Sequence, residues 1–184
     1  MVEEFISYVN KVSVNADVLL WDEYYDIGGI TKKNCFLLEE PESIISFEGK
    51  KKEELINLIL PRYYRKNRNN FAGIGACHAR AYRRTFLIEK QLYNVPGLKR
   101  MQDNEFNLWV FDAADLIYYQ CKRLYHYTYN LNSATKRYNP EIVENMIHLY
   151  RCMSCFIREK RNTNEYWQRL YLKFILLFLQ IFEL

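Results

Sequence analysis

The chain has 184 residues, 49% hydrophobic and 26% charged, with 26 Lys and Arg against 22 Asp and Glu. That length supports one well-buried core, so a single domain spanning residues 1–184 is expected. Only 6 Gly and 4 Pro leave too little turn chemistry for the many tight hairpins of an all-β domain. An odd count of 5 Cys, and a Met1-Val2-Glu3-Glu4 start with neither a basic segment nor an apolar core, argue against secretion. Reduced thiols in the cytoplasm, or in the nucleus, follow.

Taken in chain order, helical periodicity dominates. Phe5, Tyr8, Val9 and Val12 fall on one side of a helix over about residues 3–12. Asn15 is placed to cap a second segment carrying Val18, Leu19, Trp21, Tyr24 and Tyr25, which Gly28-Gly29 ends. Residues 30–49 are the least legible stretch, with Pro41 breaking it and room for a minor β element. A helix over about 50–60 stops at Pro61. Residues 61–70 read as a basic loop, and Phe71, Ile74, His78, Ala81, Thr85, Ile88 and Leu92 then repeat at three- and four-residue steps. Counting 100° per residue, Arg80, Arg83 and Arg84 point away from that seam. A long central helix is expected from Asp103 or Asn104 to about Tyr127. Asn139-Pro140-Glu141 combines a capping amide, a first-turn proline and an acid at the positive end of the dipole, so it opens another helix. Asn164 caps a last, almost wholly apolar one. The fold class expected is all-α, a helical bundle of six or seven helices.

Charge is unevenly distributed. Residues 1–48 hold three basic and ten acidic groups, net 3 − 10 = −7, and residues 49–184 hold 23 and 12, net +11. Between Leu55 and Ile88 no Asp or Glu occurs in thirty-four residues. That stretch carries Arg62, Arg65, Lys66, Arg68, Arg80, Arg83 and Arg84, interleaved with Tyr63, Tyr64 and Tyr82. Guanidinium forks match phosphate oxygens and flat rings give bases a stacking face, so these ten residues are the candidate nucleic-acid surface. No helix-turn-helix, zinc-finger, RRM or KH signature supports base readout. Double-stranded or structured RNA, recognised by backbone and shape, is therefore preferred over DNA.

Other constellations carry less. His148, Cys152 and Cys155 share one helical flank and are the zinc candidates, but no second paired-cysteine element completes a zinc ribbon. Gly73-Ile74-Gly75 lacks the Lys and Ser/Thr of a phosphate loop. No catalytic signature is present, and neither an enzyme nor a cofactor is expected. The apolar run Leu170–Phe182 is interrupted by Lys173 and Gln180 and is too short to span a bilayer.

The first functional expectation is thus an RNA-binding protein. The abundance of Asn, Lys, Ile and Tyr fits an AT-rich coding sequence such as many viruses carry, which suggests a viral accessory protein that sequesters RNA. The alternative is a helical protein-protein interaction module, either a self-assembling subunit or a viral inhibitor of host signalling. It would form a homo-oligomer or engage a protein partner through the acidic N-terminal part or the C-terminal helix.

Overall fold

Val18–Ile27 forms a strand, β1, and its burial explains why no helical stripe is needed there. Val18, Leu19, Leu20, Trp21, Asp22 and Glu23 are all buried, as befits a central strand covered on both faces. The computed structural model describes residues 2–12, 15–37, 43–61, 74–130 and 139–182. Its elements are α1 (Val2–Lys11), β1, β2 (Ile30–Asn34), β3 (Ile44–Phe47), a 3-10 turn at Gly49–Lys52 and α2 (Glu53–Ile59). They continue with β4 (Arg80–Tyr82), α3 (Arg84–Glu89), α4 (Gln102–Ala113), β5 (Ile117–Thr128), α5 (Ile142–Lys160) and α6 (Asn164–Phe182).

The five strands form one mixed sheet in the order β2-β1-β5-β3, curled into a half-barrel. β4 shares an edge of β1 with β2, pairing with Val18–Leu20 where β2 pairs with Glu23–Ile27. β1 and β5 run parallel, and the connection between them passes through α2, α3 and α4, the crossover that a parallel pair requires. The β1–β5 register slips between Trp21, Asp22 and Glu23, so β5 carries extra residues and the sheet bends there.

This overturns the expected all-α helical bundle, for three local reasons. The segment 18–27 is strand, and its first six residues, 18–23, are buried on both faces of the sheet. The expected central helix divides into α4 and β5 because tertiary partners take over at the break. There Lys52 Nζ donates to the carbonyls of Asp112 (2.9 Å) and Ala114, while the Asp17 carboxylate accepts the N–H groups of Asp115 (2.6 Å) and Leu116 (3.2 Å). Residues 80–82 form strand rather than helix, and helix resumes only at Arg84. The minor β element expected in 30–49 is present as β2 and β3.

Beyond the bulge the sheet extends as a ribbon that rings hold together. Tyr25 stacks on Tyr127 at 4.9 Å between centroids, His78 on Tyr125 at 5.4 Å, and, on the other face, Tyr24 on His126 at 4.7 Å. On the helical side, α6 seals the C-terminal end of α2. Arg169 donates to Asn57 Oδ1 (2.6 Å) and the Leu60 carbonyl (3.3 Å), and Lys173 Nζ donates to the Ile59 carbonyl (3.0 Å) and Asn104 Oδ1 (3.2 Å). Two cations thus meet the negative end of a short helix.

Burial pulls the Lys173 ammonium down from 10.5 to about 8, against an opposing pull from Asp103. Between those values the unfolded chain holds more protons than the folded one, so this residue's contribution to stability rises with pH across that window. Urea midpoints of wild type and Lys173→Met at pH 7 and pH 9.5 check it. The difference between them moves in favour of wild type by about 2 kcal/mol at the higher pH.

Candidate interaction surface

The α5–α6 hairpin is built from two amphipathic stripes. On α5, Met146, Leu149, Met153, Phe156 and Ile157 are buried against the rest of the core, with Trp109 of α4 meeting Phe156 edge-on at 5.1 Å. Asn139 Oδ1 accepts the Glu141 N–H at the start of α5 (2.9 Å). At the other end, Arg161 bridges Glu53 (2.6 Å) and Asp112 (2.8 Å), which fixes the corner between the two helices to α2 and α4. Thr163 then opens α6, its Oγ1 accepting the Tyr166 N–H (3.4 Å) and its carbonyl the Trp167 N–H (3.1 Å), a role the sequence suggested for Asn164. The helices touch through Tyr150, which stacks on Tyr171 at 6.5 Å and meets Phe174 edge-on at 5.2 Å. The bond that Tyr171 makes with the Tyr150 hydroxyl, with the neighbouring phenol's charge, raises the Tyr171 pKa.

Large apolar side chains remain on the outside of this hairpin. Val143 (46% exposed) and Ile147 (44%) lie on α5, and Tyr171 (50%), Ile175 (57%) and Leu179 (53%) on α6. At 100° per residue, Val143 and Ile147 sit on the flank of α5 that carries Tyr150, while Tyr171, Ile175 and Leu179 line one outward stripe of α6. With Tyr150 opposite Tyr171 in an antiparallel pair, Ile147 is level with Ile175 and Val143 with Leu179 within about a turn. The five therefore lie on one face of the hairpin rather than as five separate exposures.

The candidate nucleic-acid residues are distributed differently from the sequence expectation. Arg62, Tyr63, Tyr64, Arg65, Lys66 and Arg68 lie outside the described residues. Arg80 is buried in β4, donating to the carbonyls of Ile74 and His78 (3.4 Å) and lying 5.3 Å from the Phe36 ring centroid, and burial lowers its pKa. Arg83 pairs with Asp17, an acid of the N-terminal part. Tyr82 is turned inward, its hydroxyl donating to Asn107 Oδ1 (2.8 Å) and its ring edge-on to Phe106, and burial pushes its pKa up. Arg84 is exposed at the start of α3. The rigid triplet of outward arginines expected from a helix over 71–92 is replaced by one buried, one paired and one exposed cation.

The zinc candidates are not drawn together either. Cys155 is exposed and its thiol meets Glu159 Oε1 at 3.5 Å, whereas Cys152 is half-buried, where burial and then the nearby Glu105 push its thiol up. Among the described residues no group of three His, Cys, Asp or Glu is arranged to hold a metal ion. Nor is any helix of the described residues long and apolar enough to cross a membrane.

No protein-family model matches the chain, and neither curated proteins nor solved structures give a significant match to it. The surface must therefore be read from its own chemistry. The sequence marks the run 170–182 as apolar almost throughout and does not separate its exposed stripe from its buried one. The available signal was that α6 is apolar almost all round while a hairpin partner covers only part of it.

If Asp17 draws on Arg83 as well as on its two backbone donors, Arg83→Ala lowers stability by about 1 kcal/mol, since the cation is partly solvated. A urea midpoint that does not move would mean the backbone donors suffice for the buried carboxylate.

Proposed function

We propose that this protein is an interaction module that docks another protein on the outer face of the α5–α6 hairpin. The observation that carries this reading is the patch of Val143, Ile147, Tyr171, Ile175 and Leu179, spread over two adjacent helices with half of each side chain in water. Burying such a patch against a partner removes apolar area from solvent, and its aromatic member gives the contact a rigid anchor. The helices beneath it are fixed through the Arg161 bridge and the α2 end-caps, so the surface is preorganised and little ordering cost accompanies binding.

RNA binding is the second reading. Exposed Arg84 supports it among the described residues, together with the cations Arg62, Arg65, Lys66 and Arg68 that the sequence places upstream. It stands behind the first because Arg80 is buried and Arg83 is paired with Asp17. Retention of mixed-sequence RNA at two salt concentrations separates the two. A steep loss with salt that Arg84→Ala makes shallower favours RNA; weak retention at low salt removes that reading.

The docking reading is checked with a photo-crosslinking phenylalanine derivative at position 175, and at exposed Lys90 as control, in cells that express the protein natively. Irradiation gives a discrete adduct from position 175 and none from position 90. The absence of any adduct above control overturns the reading.

A further inference from the structure

The outward face of α5 is polarised along its length. Glu144 stands near its N-terminal end, and Arg151 and Arg158 stand toward its C-terminal end, all three exposed. Glu144 and Arg151 have no ion-pair partner among the described residues, although each lies within about 60° of Ile147 on the helical wheel. An acid and a base separated by seven residues lie on one line of the helix, one above the other. They are too far apart to satisfy each other, since pairs three or four residues apart are the ones that meet.

The geometry points to a second copy of this chain as the occupant of the α5–α6 face, in an isologous dimer whose two-fold axis crosses the helices near residues 147 and 148. This rests on the docking reading above and names its partner. About such an axis α5 faces its symmetry mate antiparallel, and residue 147.5 − k meets residue 147.5 + k. Glu144 of each copy is then opposite Arg151 of the other, which gives two ion pairs from one sequence feature. Ile147 packs at the centre of the α5 contact. On α6 the same operation brings the level of Ile175 against its own counterpart, so apolar meets apolar across both helices. A parallel arrangement would instead set Glu144 beside Glu144 and Arg151 beside Arg151, and like charges in apposition oppose association. The flanking charges therefore select one orientation of a patch whose apolar part alone would tolerate several.

Sedimentation velocity over a concentration series tests the proposal on the full chain, using four proteins: wild type, Glu144→Arg, Arg151→Glu and the double reversal. Wild type is expected to sediment as a dimer at high concentration. Each single reversal sets like charges against each other and weakens the dimer by about tenfold or more, while the double reversal restores it. Both positions changed are exposed, and circular dichroism and the melting temperature report whether the fold is intact. Ile147→Asp provides a second variant, expected to be monomeric with unchanged dichroism.

Two outcomes overturn the proposal. One is a wild type that stays monomeric throughout the series. The other is a dimer that the single reversals and Ile147→Asp leave untouched. The crosslink at position 175 separates this failure from failure of the docking reading. An adduct whose mass and peptides are those of this chain supports the dimer. An adduct with a different polypeptide, from a monomeric wild type, rejects the dimer and keeps the docking surface; no adduct rejects both.

Discussion

Asp17 ties together the three places where this fold is decided. It is nearly fully buried, it immediately precedes β1, and its two carboxylate oxygens hold the N–H groups that open β5 and the guanidinium of Arg83 between β4 and α3. Its backbone joins the same junction, with its N–H on the Leu116 carbonyl (2.9 Å) and its carbonyl accepting from the Arg83 N–H (2.8 Å). One residue thereby sets the parallel register of β1 against β5 and the antiparallel end of β4. A buried carboxylate needs several donors, and supplying them requires that these distant segments converge. The helix α4 must also end where it does, because Asp115 and Leu116 cannot serve both a helical ladder and Asp17.

The same residue accounts for part of the opposed charge of the two sequence lobes. Asp17 of the N-terminal part meets Arg83 of the remainder within one molecule, while Glu23 and Asp26 lie against the rings of His78 (2.8 Å) and His126 (2.9 Å), which do not enter the net charge. A charge tally along the chain treats these as separate surfaces, whereas the sheet places them side by side. Of the cations that the absence of Asp and Glu over residues 55–88 made conspicuous, Arg83 is answered by Asp17 and Arg80 by the carbonyls of Ile74 and His78. The aromatic content has a comparable explanation. On the ribbon, Tyr25, Tyr127, His78 and Tyr125, all half-buried, stack on one another, so their faces serve the sheet.

Legibility followed how many faces of each segment the core covers. The boundaries of α5 and α6 were readable because Asn139-Pro140-Glu141 and the residues near Asn164 carry local capping chemistry, and because α5 has a one-sided stripe. β1 was unreadable as strand because burial on both faces erases the alternation that marks a strand, and Val18, Leu19, Trp21, Tyr24 and Tyr25 then imitate a helical set. In β5 the run from Ile117 to Thr128 is rich in rings and β-compatible residues, but it continued the apolar arc of α4 without a glycine or proline between them. The signal for the break was Asp17, 98 residues away. For the candidate surfaces, composition located the cations and could not tell that Arg80 is buried while Ile175 is exposed.

That inversion bears on what the surface is for. A basic residue inside, with its guanidinium spent on backbone carbonyls, and an isoleucine outside are both departures from the arrangement that minimises solvation cost. Arg80 is compensated within the molecule, by the carbonyls of Ile74 and His78 and by the Phe36 ring. The exposed stripe on α5 and α6 has no such compensation among the described residues, where Tyr150 and Phe174 pack on the inner side of the hairpin. Its supporting helices are among the most heavily anchored parts of the chain, by Arg161, Arg169 and Lys173 at three separate points. Rigid presentation of an uncompensated apolar face is destabilising to solubility unless something covers it. The charges flanking that face limit how the cover can be oriented.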